Sequence, residues 1–84
     1  MKPNDICFIE FPSVETMNFY RAHSIKNPFL ICPCKVPKDQ LLVIDQLLTP
    51  NIAMLHYEDK PTRVTVAYIK DLVKAKRKWL NLIR

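Results

Sequence analysis

No glycine occurs anywhere in the 84 residues. A turn that needs positive φ must therefore rest on Asn or Asp, or be replaced by the type I geometry that proline favours. The same absence rules out a phosphate-cradling P-loop and a dinucleotide-binding fingerprint. Long apolar runs are missing too: none approaches the ~20 residues that cross a bilayer. The opening Met1-Lys2-Pro3-Asn4-Asp5 lacks the apolar core of a signal peptide. An intracellular protein, or a domain of a larger one, with no membrane partner is expected.

Catalytic signatures are equally scarce. No Ser–His–acid or Cys–His arrangement follows from spacing, and neither His23 nor His56 has a carboxylate at a telling interval. Glu10 with Glu15, or Glu58 with Asp59, can be drawn as an acid–base pair, but exposed acids at strand ends are commoner. A non-enzyme without a cofactor is expected. The three cysteines, Cys7, Cys32 and Cys34, form an odd set. That suggests a reducing compartment with thiols acting as small hydrophobes. Cys32-Pro33-Cys34 lacks the two-residue reach of structural zinc loops and has no second ligand pair, so no metal is expected.

What is present describes one small folded domain, 1–84, with 49% hydrophobic and 25% charged residues. The net charge of +5 is unevenly spread. Residues 60–84 carry eight basic side chains against Asp71 alone, whereas residues 1–59 carry five basic and seven acidic ones. Such a basic end suits a polyanion or an acidic partner, or is a solvated helix face.

Apolar and aromatic runs bounded by turn residues predict strands over 5–11, 18–25, 52–57 and 63–68, with apolar 29–34 as a candidate for a short further one. Leu41, Ile44, Leu47 and Leu48 predict a helix over 37–48 with Pro37 in its first turn. Residues 58–61 read as a turn. From Ile69 the apolar residues Leu72, Val73, Leu80 and Ile83 predict a C-terminal basic amphipathic helix over 69–84, with Trp79 near its apolar edge.

Three phrases carry a family resemblance. Asn4-Asp5-Ile6-Cys7 stands where a Gly-Asp-hydrophobic lead-in begins a first strand, with Asn4 in the glycine's place. Phe19-Tyr20-Arg21-Ala22 looks like an aromatic-aromatic-x-Ala second strand. His56-Tyr57-Glu58-Asp59, followed by Val66 and Ile69-Lys70-Asp71-Leu72, resembles a third-strand aromatic, an acidic turn, a fourth strand and a closing x-Asp-Leu turn. Together, over about 55 residues, they are similar to the Royal family of SH3-like barrels, the PWWP and Tudor readers of methylated lysine and arginine. The fold implied is mainly β with helices: a small SH3-like barrel, a helical insertion over 26–51 between strands two and three, and the C-terminal helix.

That resemblance implies a nuclear, chromatin-associated binding module. Phe11, Tyr20 and Tyr57 would form an aromatic pocket, since aromatic faces attract a methylated ammonium while excluding water. Glu58 and Asp59 would add attraction at its rim. Arg63, Lys70, Lys74, Lys76, Arg77 and Lys78 would lie on the phosphates of duplex DNA beside a methylated histone tail. The plainer alternative is that these aromatics only pack within and around the barrel.

Two other functions stay open. The chain suits a protein-interaction adaptor or a viral or phage inhibitor of a host protein, docking through an apolar helical surface at 37–48 or 69–83. Residues 4–11 also resemble the first strand of small SH3-like toxin ribonucleases, although no catalytic set accompanies them.

Overall fold

The computed structural model describes residues 1–75. The first strand, β1 (Ile6–Ile9), alternates as its sequence requires: Cys7 and Ile9 point into the core, while Ile6 and Phe8 are half-buried on the other side. Pro12-Ser13 ends the extended run, but a helix follows it, α1 (Val14–Ser24), in place of the expected strand at 18–25. Ser13 is the N-cap, its hydroxyl accepting from the Thr16 N–H at 3.3 Å, and Glu15 and Arg21 complement the helix dipole at the two ends. The run from Asn18 to Ile25 has aromatic residues but no true apolar alternation, so the cap decides its conformation. α1 packs mainly against β4.

After α1 the expected short strand at 29–34 shrinks to one parallel bridge, Leu30 to Val64, followed by a 3₁₀ turn at Pro33–Lys35. The expected helix over 37–48 is instead β2 (Leu42–Thr49), the longest strand. The reason lies in two irregularities against β3 (Ile52–Tyr57), between Ile44 and Gln46 and between Leu47 and Thr49. Each extra residue breaks the period of two, so inward Leu42 and Ile44 are followed three positions on by exposed Leu47, and the apolar residues mimic a helical stripe.

β3 and the turn at 58–61 match the sequence expectation, and β4 (Val64–Tyr68) starts one residue later than expected. A 3₁₀ turn, Ile69–Asp71, then leads into β5 (Leu72–Lys74). The expected C-terminal helix therefore does not begin at Ile69, and the rest of that expectation, 76–84, lies outside the described residues.

The result is mainly β: one five-stranded antiparallel sheet, order β4-β3-β2-β1-β5, and one α-helix among the described residues. The edge strands β4 and β5 are not paired with each other, so the sheet is open rather than a closed barrel. Its helix lies between β1 and β2, not between the second and third strands. The core covers one face, from Cys7, Ile9, Leu42, Ile44, Ala53, Leu55, Tyr57, Ala67 and Leu72, with Ile31, Val36 and Ile69 over it. Among the described residues only Asn4 has positive φ, at 75°. A chain without glycine thus makes its remaining described turns without the left-handed region.

A buried polar knot fastens α1 to the sheet. The Asp71 carboxylate accepts from the Ser13 N–H at 2.9 Å, the Ser13 hydroxyl at 2.8 Å and the Thr16 hydroxyl. Thr16 Oγ1 in turn accepts from the Tyr68 N–H at 2.9 Å. These bonds satisfy donors that α1 and β4 would otherwise leave unpaired beside a thin core.

Candidate functional site

The three rings expected to form one pocket sit in three unlike places. Phe11 lies on the link between β1 and α1 and is 74% exposed. Tyr20 is half-buried on α1, not on a strand. Tyr57 ends β3 on the inward side, as alternation with Leu55 dictates, and at 6% exposed belongs to the core. The Arg63 guanidinium lies 5.9 Å from the centre of its ring. Neither of the two concavities that Phe11 lines includes Tyr20 or Tyr57.

Glu58 and Asp59 border a separate recess of about 240 Å³ with Pro37, Asp39, Gln40 and Leu41. The Asp59 carboxylate there accepts from Gln40 Nε2 at 2.8 Å. That recess contains no aromatic ring, so the rim acids and the rings are not brought together.

Three of the expected phosphate-contacting residues, Lys76, Arg77 and Lys78, lie outside the described residues. Arg63 precedes β4 and Lys70 follows it, so the length of that strand, ~17 Å, separates them. Lys70 is paired with Glu15, which holds the Glu15 carboxyl below and the Lys70 ammonium above their usual ranges. Lys74, on β5, is 3.9 Å from Asp5. The three described cations do not form one cluster.

The structure does assemble an apolar concavity of about 290 Å³ at one end of the sheet. Ile9 at the end of β1, Phe11 and Pro12 on the link, Met17 on α1, and Pro33 and Val36 around the 3₁₀ turn supply its walls. Glu10, Cys34 and Lys38 complete the lining. Capping by Ser13 aims α1 so that Met17 faces the 3₁₀ turn, while buried Val36 anchors the far wall in the core. Sequence reasoning missed this site because its residues come from four segments. The available signal was Phe11-Pro12, an aromatic placed where Pro12 had to end the strand.

The cysteines divide by environment. Cys7 is fully buried, and burial pushes its thiol up to about 12. Cys34 is exposed and Cys32 half-buried, with their sulfurs 2.8 Å apart. The hydrogen bond with Cys32 raises Cys34 from its ordinary value. Among the described residues no group of three or more His, Cys, Asp or Glu side chains could hold a metal ion. Nor does any helix among them have the length and apolarity to cross a membrane.

Compared with protein-family models, curated proteins and solved structures, the chain matches none of them.

Proposed function

We propose that this chain is a small non-catalytic protein-interaction domain that takes an apolar side chain of a partner's peptide segment into the concavity beside Phe11. The observation that carries this reading is an aromatic ring left 74% exposed on the lip of an apolar recess. Exposed apolar surface next to concave apolar surface is how soluble domains present a docking site. Glu10 and Lys38 supply one charge of each sign at the margin, enough to orient a peptide without selecting strongly by charge.

The fold reading behind it is SH3-like. It is supported by β5 returning through a 3₁₀ turn to lie beside β1, which brings the last described strand to the first. It is also supported by Asn4, whose φ of 75° is a glycine-like conformation at the position where the Royal-family resemblance has glycine. The methyl-reader form of that resemblance gains no support, because the rings do not converge.

Selection from a random linear-peptide display library tests the docking proposal. Enriched peptides should share an apolar anchor, and Phe11→Ser should weaken them by about 10- to 100-fold, the worth of burying one large apolar side chain. Equal binding by Phe11→Ser would refute it.

A second reading, contact with nucleic-acid phosphates, is favoured by one specific feature. Lys76, Arg77, Lys78 and Arg84 carry four positive charges, with no acid, in residues 76–84. Mixed-sequence duplex DNA should then bind at about 50 mM salt and be released steeply as salt rises. Absence of binding at low salt removes this reading and leaves the docking proposal intact.

A further inference from the structure

Cys32 and Cys34 do not behave as the small buried hydrophobes that their composition suggests. Both border Pro33, which is fully buried, and the backbone holds the segment on each side. The Ile31 N–H donates to the Val64 carbonyl at 2.8 Å, and the Thr65 hydroxyl donates to the Ile31 carbonyl at 2.7 Å. After the pair, the Lys35 N–H donates to the Cys32 carbonyl at 2.8 Å, and Val36 enters the core. With the segment fixed in this way, the two sulfurs lie 2.8 Å apart. That is only ~0.8 Å more than a covalent S–S bond. Little motion separates the dithiol from a closed ring, and both sulfurs can be reached from solvent.

We propose that Cys32 and Cys34 form a two-electron dithiol–disulfide site that reacts with low-molecular-weight disulfides. The Cys32 thiolate attacks one sulfur of a small disulfide RSSR, forming a mixed disulfide, and RS⁻ leaves and takes up a proton. Cys34 then loses its proton to solvent and attacks Cys32 Sγ. The Cys32–SR bond breaks, and the second RS⁻ leaves as RSH. Two protein thiols and RSSR thus become one protein disulfide and two RSH, with both electrons passing to RSSR. Since the partner sulfur is already in place, the second step is intramolecular and outpaces attack by another small thiol. Cys7 takes no part, because it is buried and held neutral. The site is independent of peptide docking, although Cys34 also lines the concavity.

The test uses the folded 84-residue chain and oxidised glutathione. Of its three thiols, two should be lost on native titration, the intact mass should fall by two hydrogens, and no glutathione should remain attached. Cys34→Ser should stop at a stable glutathione adduct on Cys32, and Cys7→Ala should still close the ring. Circular dichroism of Cys34→Ser, an exposed substitution, confirms that it is folded. A persistent glutathione adduct on the wild-type protein, or three unreacted thiols, would overturn the proposal.

Discussion

Replacing Asp71 with alanine should cost this domain a large share of its stability, although the residue lies far from any proposed ligand. The carboxylate is 8% exposed and gathers three donors from the start of α1, the Ser13 N–H, the Ser13 hydroxyl and the Thr16 hydroxyl. Ser13 is half-buried and can recover water, but Thr16 is fully buried and cannot. One wholly desolvated donor costs about 1–3 kcal/mol when unpaired, and hydrogen bonds to a charged group contribute about 1.5–3 kcal/mol each. Allowing for rehydration of Ser13, Asp71→Ala should destabilise by about 3 kcal/mol. A domain of this size holds only about 4–13 kcal/mol in total. The melting temperature should fall by about 12–24 °C. Urea unfolding followed by circular dichroism reads this as a lower midpoint with an unchanged slope. Asp71→Asn keeps the shape and one acceptor, and should lose about half as much. Thr16→Val, which removes the acceptor of the Tyr68 N–H, should be non-additive with Asp71→Ala by at least about 0.5 kcal/mol. A loss below about 1 kcal/mol for Asp71→Ala would refute the idea that this network docks α1 on the sheet.

Other consequences concern pH and backbone. Native Cys7 keeps its proton up to about 12, whereas the unfolded thiol loses its own near 9.0. Between those values the unfolded state binds fewer protons, so stability falls as pH rises, by up to about 1.4 kcal/mol per pH unit. Urea midpoints compared from about pH 8 to about pH 10.5 should show that extra slope in wild type and not in Cys7→Ala. Asn4 holds φ at 75°, so Asn4→Gly should be neutral or stabilising, and Asn4→Val should cost about 1–2 kcal/mol by thermal unfolding. The Glu15–Lys70 pair lowers the Glu15 carboxyl, so its contribution is present above the unfolded carboxylate pKa and lost as pH falls through the folded value. An NMR titration should find Glu15 titrating higher in Lys70→Met, and an unchanged Glu15 would show that the pair does not form in solution.

The strands at 52–57 and 63–68 were legible because apolar, β-branched and aromatic residues crowd there and the two pair without a bulge, and the turn at 58–61 because two acids and Pro61 fall in it. Of the expected strand at 5–11 only Ile6–Ile9 pairs in the sheet. β2 was not legible, since its irregularities at Asp45 and Leu48 turn a period of two into helical spacing. α1 was missed for a different reason. Its main signal, the Ser13 cap with Glu15 in the first turn, follows Pro12 and reads equally well as a strand break. The aromatic pocket depended on that misassigned strand. With residues 18–24 helical, Tyr20 leaves the sheet half-buried while Tyr57 stays in the core, and of the three rings only Phe11 is largely exposed. The concavity itself lay beyond sequence reasoning. Met17 and Pro33 meet only because Asp71, 55 residues from Thr16 in sequence, fixes the start of the helix in place.

Docking at Phe11 is tested most directly by amide chemical shifts of the ¹⁵N-labelled protein during titration with a display-selected peptide. Shifts should concentrate on Ile9, Phe11, Met17, Cys34 and Val36, and leave the hairpin tip at 46–52 and the turn at 58–61 in place. Shifts centred on either of those segments, or none at saturating peptide, would contradict a docking site beside Phe11.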